Sequence, residues 1–259
     1  MKDSIADLPG IRLAYLDTEG PGEAVVLNHP ATGSKAIWEY QLPALTAAGF
    51  RVIAPSRRGH LGSDPGPADA LGTGSGDLAA LLDHLGVARC HVLGTAAGGI
   101  VALDFAISHP KRVITLTLAC TLFGLTDPDY LARSEGLRAK GFQEMPPEFR
   151  ELGPSYRFEN PEGVARWLAL EHQATPHGLR RQPTANRLTF AALATLDMPC
   201  LLMTGDADLF APPAAQRMVA PHLRRAETVV IAEAGHSAYW EQPAAFNAAL
   251  LDFLKRHPA

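Results

Sequence analysis

Seven runs of almost unbroken apolar character, IRLAYL, EAVVLNH, FRVIAPS, RCHVLGT, RVITLTLAC, PCLLMTG and AETVVIAE, recur along the 259 residues, most of them separated by stretches of helical period. Apolarity that is continuous rather than alternating marks strands covered on both faces, which calls for a parallel sheet with crossover helices. The intervening segments support this: Leu78, Leu81, Leu82 and Leu85 fall at i, i+3, i+4 and i+7, and Phe246, Leu250, Phe253 and Leu254 fall on nearly the same spacing. Gln242-Pro243 suits the entry of that last helix, because proline at the first helical position gives up a donor that lacks a partner anyway. The expected class is α/β, a mostly parallel sheet with helices on both faces.

One run stands apart. Residues 89 to 109, RCHVLGTAAGGIVALDFAISH, read as a buried strand, an abrupt glycine-flanked turn and a helix with almost no polar face. The turn, Gly94-Thr95-Ala96-Ala97-Gly98 followed by Gly99, has the spacing of G-x-S-x-G, in which small residues let a strained strand-to-helix bend lift one nucleophilic side chain clear of a sheet. At the nucleophile position stands Ala96, a methyl group.

Composition excludes several classes of function. With 47% hydrophobic residues, 19% charged residues and a net charge of −4, the chain reads as an ordinary globular protein with no basic patch for DNA or RNA. The opening MKDSIADLPG carries acids and a proline where a secretory signal needs an apolar run, and no stretch reaches membrane-spanning length, so a cytoplasmic location without membrane contact is expected. Cys90, Cys120 and Cys200 lie in or at the ends of predicted strands with no C-x-x-C spacing, and are expected to be core thiols.

Five further segments matter. The loop His29-Pro30-Ala31-Thr32-Gly33 leaves a strand end where backbone amides would face a ligand above the sheet, and His29 itself reads as a packed loop histidine. IAPSRRGHLGSDPGP reads as a turn whose glycines permit positive φ and whose arginines hydrogen-bond loop carbonyls. Its alternative is an anion site of Arg57, Arg58 and His60, which requires those side chains to face a pocket. From Thr121 to Asp197 no strand run occurs, so a mainly helical insertion is expected late in the sheet. Its Tyr130, Phe142, Phe149, Phe158, Trp167 and Leu168 would either cover a pocket mouth or form a small core of their own. Among its eight arginines, Arg133, Arg138, Arg150, Arg157, Arg166, Arg180, Arg181 and Arg187, one would suffice to hold a substrate carboxylate, the rest being solvated. Finally, MTGDADLFAPP offers Asp206 and Asp208, and IAEAGHSAYWEQP offers His236 on a glycine-flanked turn. Each loop alone is weak, but the order nucleophile position, acid, histidine is a strong joint signal.

Over essentially its whole length the chain resembles the α/β-hydrolase superfamily, and within it small capped enzymes such as 3-oxoadipate enol-lactonases and related esterases. The residues that carry the likeness are the N-H-P-A-T-G-x4-W segment ending at Trp38, the acid loop Gly205-x-x-Asp208-x-x-x-Pro212 and the Gly235-His236-Ser237 turn. The stretch from Ser56 to Ser63 is similar to D-x-R-G-x-G-x-S, with Ser56 in place of the usual aspartate and Leu61 in place of the second glycine. The resemblance implies a core of residues 1–120 and 198–259 with a helical cap over 121–197. It also implies Asp208 rather than Asp206 as the acid of a triad with position 96 and His236. The N–H groups of Ala31 and Ala97 would form an oxyanion hole around a small ester or lactone. No metal or organic cofactor enters such chemistry.

In a serine form, His236 would take the hydroxyl proton and Asp208 would hold the imidazole tautomer. Loss of the serine costs on the order of 10⁶ in turnover, so the chain as written should be nearly inert as a hydrolase. Two explanations compete. Either a hydrolase has been changed at its nucleophile, leaving the acid, the histidine and three elbow glycines of the complete design, or the protein lacks the serine by nature. In the second case His236 and Asp208 would act as a cofactor-free base, of lyase or dioxygenase type, or the protein would only bind a ligand. The intact acid and histidine favour the first.

Overall fold

The computed structural model describes residues 2–138 and 140–259. Met1 and Ala139, which fall within the expected core and cap segments, lie outside the described residues. Eight strands form one sheet: β1 (Lys2–Leu8), β2 (Ile11–Asp17), β3 (Ala24–Asn28), β4 (Arg51–Pro55), β5 (Cys90–Thr95), β6 (Val113–Ala119), β7 (Cys200–Gly205) and β8 (Ala226–Ile231). Their spatial order is β1-β2-β4-β3-β5-β6-β7-β8. Only the pairings of β2, with β1 and with β4, are antiparallel; from β4 to β8 every pairing is parallel. The mostly parallel α/β sheet expected from the apolar runs is therefore what forms.

Alternate side chains of the central strands feed two separate core layers, as a period of two requires. Val26, Val92 and Leu202 join one layer, together with Leu78, Leu81 and Leu82 of α2 (Gly74–His84) and Ala102, Leu103 and Phe105 of α3 (Ala97–Ser108). Val25, Leu27, Leu93, Leu201 and Met203 join the other. There they meet Leu42 and Leu45 of α1 (Gln41–Ala47), while α11 (Pro243–Arg256) supplies Phe246, Leu250, Phe253 and Leu254. Pro243 opens α11 at its first position. All three cysteines are buried and free. Between α2 and α11 the sheet is thus sealed on both faces, which is why its strands show no polar alternation.

The edges behave differently. β1 occupies the opening segment, where sequence alone shows only a terminus, because just Ala6 and Leu8 of its seven residues are buried and no apolar run marks it. The AETVVIAE run, read as covered on both faces, is the opposite edge β8, with Val230 48% exposed.

Between β6 and β7 lie α4 (Pro128–Glu135), α5 (Pro147–Glu151), α6 (Pro154–Glu159), α7 (Pro161–Ala174) and α8 (Phe190–Leu193); α9 (Pro213–Val219) and α10 (Ala238–Glu241) follow later. Most of the insertion's buried apolar side chains join the two main layers, while Phe142 packs on Phe210. Tyr130 packs with the α2–α3 layer, while Leu152, Tyr156 and Trp167 pack with Trp38, Tyr239 and Trp240. Among the described residues no helix is long and apolar enough to cross a membrane.

Where β5 turns into α3, backbones touch. A Cβ on Gly98 would stand 2.1 Å from the carbonyl oxygen of Asn28 at the end of β3, and one on Gly94 would stand 2.2 Å from the carbonyl oxygen of Gly98. Neither neighbour is a movable side-chain tip, so both positions must be glycine. We expect Gly98→Ala to cost about 3 kcal/mol or more through overpacking, read as a fall in the urea midpoint at constant slope.

Candidate active site

The bend places Ala96 at φ 49° and ψ −118°, a conformation that L-residues rarely adopt and that costs on the order of 1–3 kcal/mol. Three hydrogen bonds hold it. The Ala96 N–H donates to the Ala119 carbonyl at 3.0 Å, and the Ala96 carbonyl accepts from the Gly99 N–H at 3.1 Å and from Thr121 Oγ1 at 2.7 Å. Ala97 is the first residue of α3, so its N–H has no acceptor within the helix. Thr95 is buried with its hydroxyl unpartnered and does not reach the cavity that Ala96 lines.

His236, in the loop between β8 and α10, is 6% exposed, and its Nδ1 lies 2.9 Å from each carboxylate oxygen of Asp208. Because Asp208 Oδ1 also accepts from the N–H groups of Phe210 and Ala211, both at 2.8 Å, the carboxylate is anchored before it meets the ring. Burial alone would raise the Asp208 pKa, yet the imidazole beside it and these donors hold it below the usual range. For His236 burial works downward, and the charge and hydrogen bond of Asp208, with Glu151 and Glu241 beyond, outweigh it and raise the pKa above 6.5. Nδ1–H is thereby committed to Asp208, which leaves Nε2 as the basic nitrogen on the far side of the ring. Phe210 packs on that ring with centroids 4.4 Å apart. Asp206, by contrast, is exposed, and among the described residues its carboxylate accepts from the Ala234 N–H alone.

A cavity of about 620 Å³ joins these parts. Ala31, Ala96, Ala97 and His236 all line it, and Asp208 stands behind the histidine. The insertion contributes a polar wall: Arg138, Gln143, Arg150, Glu151, Glu171, Arg180 and Arg181. None of the six aromatic and apolar residues singled out in the insertion lines the cavity. Tyr130, Phe142 and Trp167 are buried, whereas Phe158 is 87% exposed. Hydrophobic character alone reports neither which of these residues are buried nor which surface buries them.

The glycine-rich crossover divides its side chains. Arg58 makes a two-point pair with Asp77, Nε to Oδ2 and Nη2 to Oδ1 at 2.7 Å each, so it is an internal tie, although to a carboxylate more than to the loop carbonyls expected. Ser63 Oγ accepts from the Ala14 N–H and donates to the Ser56 carbonyl, closing the same loop. His29 and His60 are buried, with centroids 4.4 Å apart. Arg57 lines the cavity. Of the three residues proposed for an anion site, only this one faces the pocket.

Sequence reasoning missed Glu241. Its carboxylate is buried and accepts N–H bonds from Gly153 at 2.7 Å, Gly235 at 2.9 Å and Ser237 at 3.2 Å, and burial pushes its pKa up to about 7 against those three donors. It ties the insertion to both sides of His236. A lone glutamate before a helix carries no mark that it will be enclosed, so no local signal could have found it. Among the described residues no group of three or more histidine, cysteine or acidic side chains is placed to hold a metal ion.

A model of the alpha/beta hydrolase family matches residues 24–249, and the chain belongs to that family. A Variovorax paradoxus protein described as a "Putative carbamate hydrolase" is 31% identical over 93% of this chain and 96% of its own length. The structure of a thermophilic esterase from Thermogutta terrifontis superposes with a TM-score of 0.82 at 29% identity, covering 100% of this chain and 99% of that one. The enol-lactonase of Burkholderia xenovorans shares the fold, with a TM-score of 0.80 at 24% identity over 97% of this chain and 100% of the other. Family and relatives together indicate a hydrolase in the general sense.

Replacing Glu241 by Gln puts an NH₂ group opposite backbone N–H donors and leaves at least one of them unsatisfied. We expect Glu241→Gln to lower stability by about 1–3 kcal/mol, measured by thermal unfolding.

Proposed function

We propose that this chain is a serine-type hydrolase of a small carboxylic ester or lactone in which alanine occupies the nucleophile position. The observation that carries this reading is the His236–Asp208 pair lining, through its imidazole, the same cavity as a residue held at φ 49° on a glycine-flanked bend. A binder has no use for a strained bend in a cavity that a carboxylate-backed imidazole also lines. Residues 121–197 are taken as the cap that closes the cavity.

In the serine form, His236 Nε2 removes the proton from the hydroxyl at position 96 as its oxygen attacks the ester carbonyl carbon. The carbonyl electron pair moves to oxygen, where the N–H groups of Ala31 and Ala97 receive it, each such donor being worth about 3 kcal/mol. Collapse expels the alkoxide, which takes the proton from His236. A water, deprotonated by the same nitrogen, then releases the acid and regenerates the hydroxyl. Asp208 stabilises the imidazolium and fixes its orientation throughout.

Restoring the oxygen tests this. Ala96→Ser is expected to hydrolyse 4-nitrophenyl acetate at a rate on the order of 10⁶ above that of the Ala96 chain and to be labelled by a fluorophosphonate. Adding His236→Ala should abolish both. A serine form that stays unlabelled, with turnover or binding belonging to the Ala96 protein alone, would establish the non-hydrolytic reading instead.

The direction of the His236 shift sets the pH dependence. Only the neutral imidazole accepts the proton, and its pKa lies above 6.5. The kcat/KM of the Ala96→Ser protein should therefore rise with pH through a midpoint above 6.5, and a profile already flat by pH 6 would contradict the assignment.

A further inference from the structure

Arg57 is an anomaly. Burial pushes its pKa down to about 10, and although the side chain as a whole is half-buried, Nε and Nη2 are both enclosed with no partner. Among the described residues no ion pair reaches it. The adjacent Arg58, with its Asp77 carboxylate, shows how the same loop treats an arginine that belongs to the framework.

The side chains around Arg57 cannot neutralise it. His29 is held by donating from Nδ1 to the Pro30 carbonyl at 2.7 Å while its Nε2 accepts from the Arg57 N–H at 3.0 Å. Burial, together with the charges of His60 and Arg57, keeps His29 well below its usual pKa, and burial with the Arg57 charge pushes His60 down to about 3. Both rings are therefore neutral. The positive charge remains, on a residue that lines the cavity shared by Ala31, Ala96 and His236.

A second arginine of the cavity wall passes the same loop. The Arg180 side chain, from the insertion, passes so close to Gly59 that a Cβ there would lie 2.9 Å from Arg180 Cγ. Arg180 lines the same cavity, and its Nε is likewise buried without a partner. Three acids share the cavity wall. Asp104 is already occupied by Ser75, Ala185 and Asn186, and Glu151 and Glu171 enter from α5 and α7.

We propose that Arg57, assisted by Arg180, binds a free carboxylate of the substrate, so that the molecule admitted is an ester or lactone carrying a second, anionic carboxyl group. A planar carboxylate matches a forked guanidinium donor, and a cation enclosed without a counterion favours an anionic ligand over its neutral analogue. This rests on the hydrolase reading for the word substrate, but not for the binding event.

The test uses the Ala96 protein as it stands, titrated calorimetrically at pH 7.5 with the monomethyl esters of succinic, glutaric and adipic acids and with the corresponding dimethyl esters. At least one monoester should bind tenfold or more tightly than its diester. Arg57→Gln should erase that preference, Arg57→Lys should restore part of it, and Arg180→Gln should weaken it. The melting temperature of the free Arg57→Gln protein should be unchanged or higher, because an uncompensated buried charge has gone, whereas a merely structural arginine would lower it. Equal binding of monoester and diester, no binding of any monoester, or a preference that survives Arg57→Gln would overturn the proposal. A serine form that is labelled by fluorophosphonate yet shows no preference would sink the anion site alone. An unlabelled serine form whose protein still prefers monoesters would sink the hydrolase reading alone.

Discussion

Everything at the top of this sheet depends on one backbone contact, the approach of Gly98 to the carbonyl of Asn28. It lets α3 start directly over the ends of β3 and β5, and it forces the turn between β5 and α3 into the conformation that lifts residue 96 out of the sheet. Thr121 and Ala119 close the same bend from the β6 side. Three neighbouring strand ends are thus locked to a single residue. The strain at Ala96 persists because hydrogen bonds and close packing over-determine it.

Around that point the buried charges fall into two kinds. Asp208 with His236, Arg58 with Asp77 and Asp104 with its amide donors are each satisfied within the protein, so they define geometry. Arg57 is not, and a desolvated charge without a partner is a state that folding alone does not favour. Glu241 lies between the two kinds. Its three N–H donors hold the His236 turn and the start of α6 together, while burial keeps its proton affinity high.

The insertion supplies charge to the cavity as well as the apolar Leu122, Leu179 and Pro183. Several of its large side chains are drawn into the two layers beneath it, with Trp167 joining Trp38 and Trp240, and arginines and glutamates are prominent among the residues left to face the cavity. An amphipathic helix has only one apolar face, and once that face is bound to the body its polar flank is what remains for a ligand.

From sequence alone, the parallel sheet, the α2 and α11 stripes and the glycine bend with alanine at its tip were readable, because each is written in local periodicity or in short spacing, while the pairing of Asp208 with His236 was readable only through the resemblance of the acid loop to a known family. The edge strand β1, the enclosure of Glu241, the split between Arg57 and Arg58, and the polar wall of the cavity were not. Burial of a polar group depends on which distant segments close over it, and two adjacent arginines look alike until the fold puts a carboxylate beside one and turns the other toward a cavity.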